Sequence, residues 1–211
     1  MAKRTTITTQ GQFLAKKDNS KSREIILMHR LVHDMQLAAA SREYFLQVYS
    51  CEVDQDGFDL IFDDGDHLKK LQVKSVSINT STGSWNIHAA ILRPHCYIAE
   101  RLGFEPPSSV MGLDGGVILM EFTPDSTPLD IKYLYTDIYI LVALEYGIIS
   151  RNNKKARLAV EKLRASISTA MAHDQLGVPK GAFLQMRSPA HLLAAAGFHS
   201  SIQTSYHHNL L

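Results

Sequence analysis

One stretch constrains the fold more than any other: Gly116-Val117-Ile118-Leu119-Met120-Glu121-Phe122, a nearly unbroken apolar run of strand length. A strand with one wet face alternates apolar and polar residues, so a run without alternation fits a strand covered on both faces. Such a strand needs a layer on each side, which points to mixed α/β architecture around one main sheet. With 211 residues, 45% of them hydrophobic and 20% charged, the chain can bury that core and is not of disordered composition.

The remaining pattern fills in the layers. Residues 1–20 are polar, rich in Thr, Gln and Lys, and read as a mobile or extended arm. From Ser22 the apolar residues Ile25, Met28, Leu31, Val32 and Met35 recur at helical spacing, and the helix fades through Ala38-Ala39-Ala40. Tyr44 to Tyr49, Gly57 to Phe62 and Lys70 to Val76 read as three strands of a meander, with Asp63-Asp64-Gly65-Asp66 as a turn. A short segment at Trp85–Ile87 follows, then a helix expected from Pro94 to Leu102 ahead of Gly103. Beyond the buried run, Ile131 to Tyr135 reads as a strand, Ile138 to Tyr146 as a buried helix and Lys154 to Met171 as a basic amphipathic helix. Ala182 to Met186 reads as a short strand. Ser188-Pro189 through Ala196-Gly197 carries a cap, an N1 proline and a terminal glycine, so it reads as a short helix. The expected division is a basic arm at 1–21, an α/β core at 22–147 and a helical C-terminal portion at 148–211 packed on it.

No apolar run approaches the ~20 residues of a membrane helix, and no apolar stretch follows the basic N-terminus as a secretory signal requires. Two cysteines, Cys51 and Cys96, make neither a disulfide framework nor a zinc site, so the expected setting is cytoplasmic. The net charge is only +1, but it is unevenly spread. Residues 1–30 carry seven Lys/Arg against two acids, residues 31–150 seven against seventeen, and residues 151–211 eight against two. An acidic middle between basic ends suits a metal-binding site flanked by phosphate contacts.

The chemistry concentrates in the meander. Asp59 lies in the second strand and Gln72-Val73-Lys74 in the third, and alternation puts Gln72 and Lys74 on one face. If the strands pair through the turn, Asp59 lies beside both, and a carboxylate, an amide oxygen and an ammonium converge. The structural alternative is an amphipathic hairpin with a cross-strand Asp59–Lys74 ion pair.

Over residues 22–122 this pattern resembles the PD-(D/E)XK, or restriction-endonuclease-like, nucleases. The resemblance implies a core of helix, three-stranded meander, helix and parallel strand with added C-terminal helices. It implies Asp59 as the metal-binding aspartate, Gln72-Val73-Lys74 as the (D/E)-X-K element with glutamine in place of the acid, and the Val73 carbonyl as a further metal ligand. An acid from the first helix often joins the site; Glu24 is the choice here, with Glu43 and Glu52 as weaker candidates. No proline immediately precedes Asp59, and Gln72 brings no charge, two departures from the pattern. The implied activity is Mg²⁺- or Mn²⁺-dependent endonucleolytic hydrolysis of double-stranded DNA, leaving a 5′-phosphate. A homodimer in a restriction or mobile-element defence system would fit, with Lys154, Lys155 and Arg157 contacting phosphates. The alternatives are an inactive DNA-binding or interaction module on the same fold, or a junction-resolving or repair nuclease.

Other signals carry less. The Glu52–Asp63 segment imitates a calcium loop but leads into a strand. His29 and His33 share a helix face without a metalloprotease glutamate, and Gly112-Leu113-Asp114-Gly115-Gly116 reads as a tight turn into the buried strand. Tyr133, Tyr135 and Tyr139 read as core residues with outward hydroxyls.

Overall fold

A computed structural model describes residues 9–50, 57–95, 102, 112–149, 154–171 and 174–198, with the side chains of 154–156 excluded. The elements in chain order are α1 (Thr9–Ala15), α2 (Ser20–Ala40), β1 (Gln47–Ser50), β2 (Leu60–Asp63), β3 (Leu68–Ser77), β4 (Ser84–His88) and α3 (Ala89–Leu92). They continue with β5 (Gly116–Thr123), β6 (Asp130–Asp137), α4 (Ile138–Glu145), α5 (Lys154–Thr169), β7 (Gln175–Pro179), β8 (Leu184–Gln185) and α6 (Pro189–Ala195). The main sheet has the order β1-β2-β3-β5-β6-β8, and β4 pairs with β7 in a separate ribbon. The chain is therefore mixed α/β with a mostly antiparallel sheet; β3 and β5 form the parallel pair, from Leu71 opposite Gly116 to Ser77 opposite Phe122.

The apolar run occupies the position its composition demands. Val117, Ile118, Leu119 and Met120 are all 0% exposed, so β5 is covered on both faces. Glycine begins this strand for a steric reason: a Cβ on Gly116 would lie 2.3 Å from the Tyr135 hydroxyl. On one face α2 and α6 pack together, and the Tyr133 hydroxyl of β6 reaches across to Asp34 of α2 at 2.8 Å. The ribbon, α3 and α5 cover the other face, where Gln72 of β3 meets His88 of β4.

Local chemistry explains the boundaries. The β2–β3 turn is held by Asp side chains: Asp63 Oδ1 accepts the Gly65 N–H at 2.8 Å, and Asp64 Oδ1 accepts those of Asp66 and His67. Gly65 sits at φ +89°, a conformation that glycine adopts without penalty. Asp137 caps α4 by accepting the Ile140 N–H at 2.9 Å, and Ser188 caps α6 ahead of Pro189. In α2 the residues Leu27, Leu31, Met35 and Ala38 are buried at three- and four-residue steps.

Several expectations need correction. The N-terminal residues expected as an extended arm include α1, whose Leu14 is 2% exposed in the core, and α2 begins at Ser20. In the 148–211 portion β8 falls within the strand expected at Ala182 to Met186, while β7 is not among the expected elements; each pairs with a distant partner, β8 with β6 and β7 with β4. The tyrosine hydroxyls do not simply reach outward. Each meets a carboxylate: Tyr133 on Asp34, Tyr135 on Asp137 inside the core, and Tyr139 on Asp114. The helix expected from Pro94 lies largely outside the described residues, as do Cys51, Cys96 and the acidic stretch 52–56. No helix among the described residues is long and apolar enough to cross a membrane.

Candidate functional site

The site is built where β2 parts from β3. These strands pair from Asp63 opposite Leu68 to Leu60 opposite Leu71. The next residue back, Asp59, also donates its N–H to the Leu71 carbonyl, at 2.8 Å. Two residues of one strand thus oppose one of the other, the arrangement of a β-bulge, which bends a strand and re-aims a side chain. The ladder then stops. In place of a strand carbonyl, the Asp59 carboxylate accepts the Val73 N–H, with Oδ2 at 2.6 Å. This is a short, charge-assisted bond.

Past that point β3 continues, paired with β5, and the first turns of α2 stand beside it. Between them lies a cleft of about 340 Å³, lined by Arg23, Glu24, Asp59, Val73, Lys74 and Ser75 among others. Glu24 is exposed and Lys74 half-buried, so neither is sealed in the core. The cleft thus brings together Asp59, the helix acid Glu24 and the Val73 backbone, and Lys74 borders it where β3 runs on, its Cβ on the same strand face as that of Gln72. It adds Arg23, which the sequence reading did not single out, although the signal was there one position before Glu24.

Gln72 is placed elsewhere. It is 3% exposed, does not line the cleft, and its Oε1 accepts the His88 N–H at 3.2 Å. Regular antiparallel pairing would set Asp59 opposite Gln72. The extra residue at the bulge instead turns Asp59 to the Val73 amide, while Gln72 keeps its place in β3 and faces the ribbon. Glu43 follows the C-terminal end of α2, in a left-handed conformation at φ +63°. Roughly 24 Å of helix separates Glu24 from Ala40, so Glu43 is remote from the cleft. Glu52 lies outside the described residues.

The donor set can be tested against a divalent cation. Among the described residues no group of three His, Cys, Asp or Glu side chains comes together. The cleft offers the carboxylates of Asp59 and Glu24, and the peptide carbonyl of Val73, on the same edge as its N–H. These are hard oxygen donors, and Mg²⁺ is commonly held by one or two carboxylates while keeping several waters. The residues fit Mg²⁺ or Mn²⁺ and do not suit zinc, which favours nitrogen and sulfur ligands.

The basic flank is less concentrated. Arg157 is exposed and donates to the carbonyl of Glu145 at 2.9 Å, which ties it to the end of α4. The side chains of Lys154 and Lys155 lie outside the described ones. Helix α5 contacts α3, α4 and β7, on the face of the sheet away from α2. The cations within the cleft itself are Arg23 and Lys74.

A second polar cluster lies in the interior. Asp137 Oδ2 accepts from the Tyr135 hydroxyl at 2.9 Å and from Lys69 Nζ at 3.4 Å, while Oδ1 caps α4. Lys69 and Asp137 are both buried, and burial with the adjacent carboxylate pushes the Tyr135 hydroxyl well above its ordinary pKa. Nearby, burial and then the Lys69 charge lower the pKa of His67, whose ring lies tilted at 57° against that of Phe198, with centroids 5.0 Å apart. This cluster is enclosed and anchors β3 to β6, so it reads as structural. Comparison of the chain with protein-family models, curated proteins and solved structures finds no match to any of them.

Proposed function

We propose that the chain is a metal-dependent nuclease of the restriction-endonuclease-like kind, hydrolysing phosphodiester bonds in DNA. The observation that carries this reading is the cleft at the β2–β3 split, lined by Asp59, Glu24 and the Val73 edge with Lys74 bordering it. The order of the elements around it supports the same reading: a helix, a three-stranded antiparallel meander, then a strand parallel to β3.

Asp59, Glu24 and the Val73 carbonyl would hold a divalent cation, which when bound acidifies water and neutralises charge on the phosphate. The protein groups do the rest. The Val73 N–H fixes the orientation of the Asp59 carboxylate, so its geometry needs no reorganisation when substrate arrives. The Lys74 ammonium donates hydrogen bonds to the non-bridging phosphate oxygens, where negative charge accumulates as water attacks phosphorus. Arg23 holds the phosphate from the α2 side. A bond forms from the water oxygen to phosphorus and the bond from phosphorus to O3′ breaks; the attacking water gives a proton up to solvent, and the departing 3′-oxygen takes one up from solvent. A 5′-phosphate remains.

The test is incubation of purified protein with plasmid and linear duplex in Mg²⁺, Mn²⁺ or EDTA, alongside Lys74→Ala. Cleavage that requires metal and falls at least a hundredfold in the variant is expected. Cleavage by Lys74→Ala at the wild-type rate would remove this site from consideration. One observation favours a second reading, a nucleic-acid-binding module without catalysis: Gln72 is withdrawn to His88, leaving the cleft without a ligand from that position. That reading is recovered if DNA binds and no metal yields products.

A further inference from the structure

We propose that the hollow adjoining the Asp59 cleft is a subsite for one unpaired nucleotide, so that the substrate is a nucleic acid with single-stranded character beside the scissile phosphate. This rests on the nuclease reading above and narrows it.

The two hollows are neighbours with a shared wall: both are lined by Arg23 and Ser75. The second, of about 410 Å³, is bounded by Leu14 of α1, by Asn79 and Thr82 in the turn after β3, and by Phe122 at the end of β5. Its size is that of a pocket for a single small-molecule-sized group. A base stacked and paired within a duplex cannot enter a concave pocket of this kind; a base enters when it is unpaired or extruded.

The lining chemistry agrees. A surface that tracks a phosphate backbone is rich in cations. This hollow instead offers hydroxyl and amide groups beside apolar side chains, and its charged members are Arg23, shared with the cleft, and Asp125. Hydroxyls and amides match the hydrogen-bonding edges of a base and its sugar, while half-buried Val76 gives the base an apolar contact. Asn79 and Thr82 are exposed, and their side chains make no hydrogen bond among the described residues, so they can turn to a ligand.

Arg23 sits where the phosphate linking the two subsites would pass. One of its amino groups, NH1, donates to the Leu14 carbonyl at 2.8 Å, which fixes the guanidinium across the junction. Its other N–H groups can be offered to a phosphate. Helix α1, expected from sequence as an extended arm, is on this view a wall of the substrate site.

The experiment measures binding in EDTA, so that it does not depend on cleavage. A labelled oligonucleotide is presented as a single strand, as a duplex with an unpaired flap and as a blunt duplex of the same sequence. Wild-type protein should bind the first two about tenfold more tightly than the blunt duplex, the scale of one recognised base. Asn79→Ala with Thr82→Ala, both on an exposed turn, should bring the three affinities within about twofold while leaving the blunt-duplex affinity unchanged. Equal wild-type affinities, no binding to any form, or an undiminished preference in the double variant would each overturn the proposal. If the preference exists and the variant removes it, yet no metal supports cleavage, the subsite stands and the nuclease reading falls.

Discussion

The Asp59–Val73 bond gives Asp59 two separable roles, one structural and one toward a cation, and a pair of substitutions divides them. Asp59→Ala leaves the Val73 N–H without its acceptor at the point where β2 stops pairing. A donor stripped of its partner costs about 1–3 kcal/mol; both residues here are half-buried, so water makes up part of the loss and about 2 kcal/mol is expected. For a chain of this length 1 kcal/mol moves Tm by about 2–4 °C, so Asp59→Ala should melt roughly 4–8 °C lower. Asp59→Asn keeps an oxygen acceptor for the same N–H and loses only the charge assistance, so its Tm should fall by no more than about half as much. The cation dependence should not follow that order. Mg²⁺ at about 100 times its Kd stabilises a single-site protein by about 2.7 kcal/mol. Wild type should therefore gain roughly 5–11 °C in Mg²⁺, and both variants should gain almost nothing. Differential scanning calorimetry with Mg²⁺ and with EDTA, without nucleic acid, reads all six values. An Asp59→Asn protein that keeps the wild-type Mg²⁺ shift would refute the carboxylate as a ligand. An Asp59→Ala protein with unchanged Tm would refute the structural half.

Three further outcomes can be checked independently. Gln72→Glu should leave Mg²⁺ affinity unchanged by calorimetry, because the side chain lies on the His88 side and outside the cleft; tighter Mg²⁺ binding would return position 72 to the site. Lys69→Met should lower stability by about 3 kcal/mol in urea unfolding, because it leaves the buried Asp137 carboxylate without its cation; a loss under about 1 kcal/mol would mean that Tyr135 and the α4 cap satisfy Asp137 unaided. His67 has its folded pKa lowered by burial, so the unfolded chain binds more protons and stability should fall as pH drops below about 6.5, down to the folded value. His67→Phe, which keeps the contact with Phe198, should flatten the urea midpoint between pH 5 and 7, and an equally steep variant profile would show that another group titrates.

What the chain settles by itself is what neighbouring residues decide between them. The unalternating run in β5 requires two covered faces wherever it lies. Asp63 and Asp64 close the β2–β3 turn with their own side chains, and Ser188-Pro189 starts α6, because cap and turn bonds reach only two or three residues along the chain. The pairing of Asp59 and Lys74 in one region follows from a hairpin with a short turn, and that too is local.

The tertiary structure decided the rest. Strand β7 carries Gly177 and Pro179, residues disfavoured in strands, and has only Leu176 and Val178 in alternation; it exists because Trp85 and its neighbours in β4 supply the missing partner from far along the chain. Helix α1 is a short polar segment with little to hold it as an isolated helix, and burying Leu14 provides what its length does not. The separation of Asp59 from Gln72 depended on a single extra residue opposite Leu71. In a strand one residue of slip moves a side chain to the other face, so alternation counted along β3 alone could not tell which of its neighbours would share a cleft with Asp59. That was decided by where the β2 ladder ended and by the helix that came to stand beside the gap.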